Sequence, residues 1–276
     1  MPAIMIILLA GGYLGAAVIG VRRGVGVVWP AVLAFLAGLA LYGWACFGFL
    51  GVYSAQLRWA FSTRIAIMLV VAPWLLGLGR PVAVAQAALA ERGRAGLDRF
   101  LQSRPMRIVG FAGFEPLFTL AFLLVFLTPA AGFLRTVPAA EAGVSILVPL
   151  IGLLMVTPIA EDTRPYATYF VGLEFLIAFI ALVADAIPGL VLRLTDTIYD
   201  GVASAGTAPG WFQTRLQDQH LSGDILWCLG EAADLPILAI LFVRWARIDR
   251  RESKAVDDLS DEEFERLSRE HLRQGR

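Results

Sequence analysis

Histidine and cysteine are nearly absent from this chain, with two of each among 276 residues. His220 and His271 fall outside the apolar runs, while Cys46 and Cys228 fall inside them, so no extracytoplasmic disulfide framework is proposed. Neither an HExxH metalloprotease pattern nor a GxSxG nucleophile elbow occurs, and apolar spans without histidine offer little general-base chemistry. A non-enzymatic role is therefore expected. Charge is also scarce: 17% of residues are charged, and 23 Lys and Arg balance 23 Asp and Glu. The zero net charge argues against a nucleic-acid footprint. No internal repeat suggests inverted-repeat transporter symmetry. No basic residue precedes the first apolar run, "MPAIMIILLAGG", and Arg22 and Arg23 follow it, which is the reverse of a cleavable signal. This segment is expected to stay as a helix.

What the chain does have is apolar surface. Hydrophobic residues make up 58% and the mean hydropathy is +0.71, more than an ordinary soluble globule carries. Hydrophobic windows fall near residues 3–21, 26–52, 59–79, 108–134, 139–160, 166–193 and 222–243. Each is about 20 residues or longer, the length of a membrane-spanning helix, rather than the ten-residue alternation of a barrel strand. The expected fold is all-α, a polytopic seven-helix transmembrane bundle in the cell membrane. Arg22, Arg23, Arg80, Arg92, Arg94, Arg99, Arg104, Arg107, Arg164 and the Arg-rich tail share one side of this arrangement. The other side holds only Arg58, Arg64, Arg135, Arg193 and Arg215. That bias places the N-terminus outside and the C-terminus in the cytoplasm.

Residues 1–246 form the membrane domain of this reading, and residues 247–276 a charged cytoplasmic tail. In the tail, Ser260 and Glu263 make a capping-box pattern before a short amphipathic helix. Residues 80–107 mix Ala and Leu with Arg at helical spacing, suiting a helix at the lipid interface with arginines towards phosphates. The outer segment 194–221, punctuated by Gly, Pro and Thr, is a candidate site wall.

Ionisable residues inside the spans point most directly to function, because an unpaired carboxylate in hydrocarbon costs roughly 2.5–3.5 kcal/mol. Glu174 and Asp185 share one face of the sixth span with small residues between them. In the seventh, Asp224, Cys228 and Glu231 share a face, with Asp234 one turn beyond Glu231. Arg64, near the outer end of the third span, is the expected ion-pair partner of Asp185. Arg64, Glu174, Asp185, Asp224, Glu231 and Asp234 make up the expected intramembrane polar site.

Four stretches, "VAPWLLGLGRPV" (71–82), "LQSRPMR" (101–107), "LQDQHLSGDILWCLGE" (216–231) and "RWARIDRRE" (244–252), resemble the CtaG family of cytochrome c oxidase assembly factors, in its actinobacterial style. The resemblance implies a seven-helix membrane protein that helps supply copper to the oxidase from the extracytoplasmic side. It also implies histidines before the "VAP" segment and in the sixth span. Here Arg64 falls within about one residue of the first position, and Asp185 stands at the second. An ion pair in place of the metal follows as an expectation. A softer copper set, Met5, Cys46, Cys228 and His220, is the remaining metal candidate. The expected function is a membrane assembly factor or accessory subunit of a respiratory oxidase, with the lipid bilayer and terminal oxidase subunits as partners. The alternative is an ion or proton transporter using the intramembrane carboxylates.

Overall fold

A computed structural model describes residues 1–24, 28–104, 106, 114–160, 171–201 and 214–257. Every described element is helical: α1 (Pro2–Arg22), α2 (Trp29–Phe47), α3 (Phe49–Tyr53), α4 (Arg58–Ala66), a π-helical turn (Ile67–Val71), α5 (Ala72–Leu78), α6 (Pro81–Ala88), α7 (Glu91–Leu101), α8 (Phe114–Leu124), a 3-10 turn (Val125–Leu127), α9 (Ala130–Thr136), α10 (Pro138–Ala160), α11 (Val171–Leu194) and α12 (Arg215–Asp257). Proline opens several of them, in α1, α2 and α6, where its missing N–H costs nothing and its fixed φ suits a first turn.

The chain is a membrane protein. Among the described residues, Pro2–Arg22, Trp29–Tyr53, Arg58–Leu78 and Pro138–Thr157 are long and apolar enough to cross a bilayer, and a bent pair, Leu117–Leu127 with Ala130–Thr136, can supply a fifth crossing. Helices α11 and α12 occupy the sixth and seventh windows of the sequence. The fourth window was expected as one continuous span. It is broken instead, turning by 86° between the two halves of the pair. Thr128 before Pro129 takes an extended backbone (φ −124°, ψ 162°), as a residue preceding proline tends to. The N–H of Ala130 then turns to the Thr128 hydroxyl at 3.2 Å instead of continuing a helix. Helix α12 runs uninterrupted from residue 215 through residue 246 to Asp257; its 43 residues extend about 65 Å, far beyond a hydrocarbon core of about 30 Å. The tail helix expected around Ser260 lies outside the described residues.

Among the described residues, a small apolar cluster joins Leu50, Leu57 and Ala60, and two larger ones lie along the α2–α4–α5 axis. Tyr42, Phe61, Met68 and Phe126 centre the larger, and Tyr13, Phe35, Leu39 and Leu76 centre the smaller, where the Tyr13 and Phe35 rings stack at 3.8 Å. Outward, α1 shows Ile4, Ile7 and Leu8, and α11 shows Phe179, Ile180, Val183 and Ile187, apolar surfaces that suit lipid rather than water. With lipid as solvent, close packing does what water exclusion does elsewhere, and small residues set it. Helices α11 and α12 meet at Gly189 and Gly223, where a Cβ on either glycine would come within 2.7 or 2.6 Å of the other's carbonyl oxygen. The π turn at Ile67–Val71 precedes Pro73, whose absent N–H leaves the Leu69 carbonyl without its helical donor. Gly152 of α10 lies over that carbonyl, and a Cβ there would stand 2.2 Å from it.

Candidate functional site

Among the described residues three arginines are almost completely enclosed, Arg58 and Arg64 at 2% exposure and Arg135 at 3%. A guanidinium keeps its charge under any physiological condition, so each must be held by acceptors. All three lie at the end of the bundle formed by residues 54–58, 125–137, 195–201 and 214–222.

Arg64 projects from the last turn of α4. Its Nη2 stands 2.6 Å from Glu141 Oε1 and donates to Ser145 Oγ at 2.7 Å. Glu141 and Ser145 are one turn apart on α10, and the Ser145 hydroxyl donates in turn to the Glu141 carbonyl at 2.9 Å or its carboxylate at 3.0 Å. From α2, the Tyr42 hydroxyl donates to the Ser145 carbonyl at 2.8 Å, and the Cys46 thiol lies within hydrogen-bonding reach of Arg64 and Tyr42. One charge thus ties α2, α4 and α10 together. Glu141, with a third of its side chain exposed, opens this cluster to the outside of the bundle.

Arg58 opens α4. Its N–H and that of Trp59 donate to the two oxygens of Asp218, at 2.7 and 2.8 Å, so a carboxylate from α12 caps α4 across the bundle. Burial pushes the Asp218 carboxyl up from its ordinary range, and these two N–H groups partly offset that. The Arg58 guanidinium donates to Gln219 Oε1 at 2.9 Å and to the Phe126 carbonyl. That carbonyl is available because the Thr128–Pro129 elbow has taken the Ala130 N–H away from it. Gln219 also receives the Tyr199 N–H at 3.0 Å and donates to the Thr197 carbonyl at 2.8 Å. Arg135 grips Asp200 through two nitrogens and donates to the Ala55 carbonyl at 2.5 Å. Arg215 stands 4.0 Å from the same Asp200. The Ser62 and Ser222 hydroxyls meet at 2.5 Å.

The expected polar site is only partly assembled this way. The carboxylate set against Arg64 is Glu141, where the sequence suggested Asp185. Glu141 begins the helix packed against α5 and the π turn that follows α4, whereas α11, which carries Asp185, packs on α12 and α8. Asp185 is buried at 1% exposure, one turn before Gly189. Asp224 pairs with Arg193 at 3.2 Å, both half-exposed, and Glu231 accepts from the Trp227 indole on its own helix. The Glu174 and Asp234 side chains lie outside the described residues. Glu141, Ser145, Asp200, Asp218 and Gln219 were not singled out from sequence. The available signal was Glu141 and Ser145, four residues apart, opening an apolar run at the same end as Arg64. Of the segment 194–221, the described residues Thr197, Tyr199, Asp200 and Gln219 lie at this end, and residues 202–213 lie outside the described residues.

Copper needs converging soft or imidazole donors. Cys46 lies against a guanidinium, which repels a cation; Met5 packs on the larger core; His220 Nε2 contacts the Thr195 carbonyl at 3.2 Å; Cys228 is exposed on α12. Among the described residues no three His, Cys, Asp or Glu side chains are grouped to hold a metal ion. This donor set does not fit copper.

Comparison with known proteins adds the family. At 25% identity over 270 residues the chain is similar to the uncharacterized protein Mb0105 of Mycobacterium bovis and, equally, to the uncharacterized protein MT0111 of Mycobacterium tuberculosis. The match takes in 94% of this chain but 40% of each relative, so the chain spans well under half the length of the curated proteins it matches. No solved structure matches. The family model described as cytochrome c oxidase caa3 assembly factor matches residues 11–248, nearly the whole helical part, and the chain belongs to that family.

Proposed function

We propose that this protein acts in the assembly of a respiratory cytochrome c oxidase as a non-enzymatic membrane scaffold or accessory subunit, with a fixed ion pair where its relatives' resemblance implies a histidine metal site. One observation carries this reading: Arg64, next to the expected histidine position, is enclosed and ion-paired to Glu141. The pair links the third span to the start of the fifth and to α2, preserving the helix contacts without metal. Seven crossings, an outside N-terminus and a cytoplasmic C-terminus complete the proposal. In that orientation the end that encloses Arg58, Arg64 and Arg135 meets the outer face, where an oxidase subunit can dock against the rim formed by Glu141 and the 195–201 and 214–220 segments. Of the five outer arginines, Arg64, Arg135, Arg193 and Arg215 have acidic partners there and the Arg58 guanidinium is held by Gln219 and the Phe126 carbonyl, so they do not count as free topology-setting charge.

The test is a deletion strain assayed for oxidase activity, haem a absorbance and oxidase copper. Loss of assembled oxidase, restored by the wild-type gene and also by Cys46→Ser with Cys228→Ser, is the expected result. Normal oxidase in the deletion strain overturns the assembly role. Failure of the cysteine-free gene alone overturns the metal-free one.

A further inference from the structure

The "LGLGRPV" turn, residues 76–82, takes no part in the arginine end of the bundle. It lies at the opposite end and builds a different feature. Gly79 closes against Phe35, where a Cβ would stand 2.7 Å from the Phe35 Cβ, and its carbonyl receives the Tyr13 hydroxyl at 2.7 Å. Arg80 then adopts a left-handed backbone (φ 51°, ψ 54°), the one non-glycine residue with positive φ among those described. That conformation is strained for a side-chain-bearing residue, and such strain clusters at ligand clamps. Pro81 starts α6 at once, and α6 runs back along α1. The two helices are pinned at the far end, where Gly20 meets Ala87 and Arg23 Nη1 donates to the Ala87 and Leu89 carbonyls at 3.3 and 2.9 Å.

Between these two fixings lies a groove of about 180 Å³. Its walls are Ala16, Ala17, Ala31, Ala83 and Val84, and exposed Arg80 stands at its edge. A helix, about 10–12 Å across, is too thick for a space of this size. A flexible hydrocarbon chain is not. The neighbouring surface is cationic: Arg22, Arg92, Arg94 and Arg99 are exposed, against Glu91 and a half-buried Asp98 that is engaged by Gln86 at 2.9 Å.

We propose that this groove is a binding site for an anionic phospholipid of the surrounding bilayer, one acyl chain lying along the alanine walls and the phosphate held by Arg80. An apolar slot with a strained cation at its mouth, in an arginine-rich surface, matches an amphiphile with a net-negative head.

Detergent-extracted full-length protein is mixed with phosphatidylglycerol or phosphatidylcholine and the bound lipid counted by native mass spectrometry. Wild type is expected to retain phosphatidylglycerol in preference. Arg80→Gly keeps the turn, since glycine favours this backbone, and is expected to lower the preference about fivefold, the weight of one basic group at an anionic surface. Ala83→Trp fills the groove and is expected to lose both lipids while melting as wild type does; if it does not fold, Ala83→Leu serves. Arg99→Gln, on α7, is expected to change little. Equal retention of the two lipids by wild type, an equal loss in Arg99→Gln and Arg80→Gly, or full lipid retention in the filled groove overturns the proposal. Retention of glycerol 3-phosphate without lipid also overturns it, because the ligand is then a soluble phosphate.

Discussion

Arg64 is the residue on which the ion-pair reading stands, and the physics of buried charge sets what its loss should do. Breaking an enclosed pair leaves one charge uncompensated, while removing both partners together is far milder. Glu141→Gln should therefore destabilise by about 2–4 kcal/mol, at the lower end because a third of Glu141 is exposed to solvent, and Arg64→Met with Glu141→Leu should recover much of that loss. Thermal unfolding in detergent reads both; a double variant no better than the single one contradicts the pairing. Asp218 makes a second test. As the remote cap of α4, it should cost about 1–2 kcal/mol when changed to Ala. Its carboxyl is pushed up by burial, so the folded state binds the proton more tightly than the unfolded chain does. Its contribution to stability is then full at low pH and falls as pH rises from the ordinary carboxylate range through the raised value. Asp218→Asn should flatten that part of the stability profile, measured as unfolding against pH.

Between elements, contact is decided by residues that lack something. Gly189 and Gly223 lack a side chain, and α11 and α12 close on each other's carbonyls there. Gly223→Ala is expected to push the helices apart and cost about 1–3 kcal/mol, read as a lower melting temperature, with Gly143→Ala, where a Cβ meets nothing within 4 Å, as the neutral comparison. Pro129 lacks an N–H and, with Thr128, turns the fourth span by 86°. That elbow frees the Phe126 carbonyl for Arg58. Pro129→Ala should let the helix continue, withdraw that acceptor and loosen the capped start of α4, detectable as faster amide exchange at Arg58 and Trp59. Unchanged exchange would separate the elbow from the Arg58 site.

For the whole molecule the testable quantity is topology. Seven crossings with the N-terminus outside place residue 90 in the cytoplasm and residue 197 outside. In a protein without its native cysteines, Thr197→Cys should react with an impermeant maleimide in intact cells, and Ala90→Cys only after permeabilisation. Hydropathy, helical class, the bounds of four spans and family membership were legible in the chain itself, because apolar run length is a local quantity that a bilayer reads directly. That Arg64 needs an acceptor was legible too, since a cation deep in an apolar run announces its own cost. Its partner was not. Glu141 lies 77 positions further on, near a helix start where acidic residues are commonplace, and only the packing of α10 against α5 and the π turn brings it to 2.6 Å. The same holds for Asp218 over Arg58, for Asp200 under Arg135 and for the fold of the fourth span. The reason is that a sequence prices each buried charge by itself, whereas the energy that compensates it falls off within a few ångströms and is settled only when the helices have met.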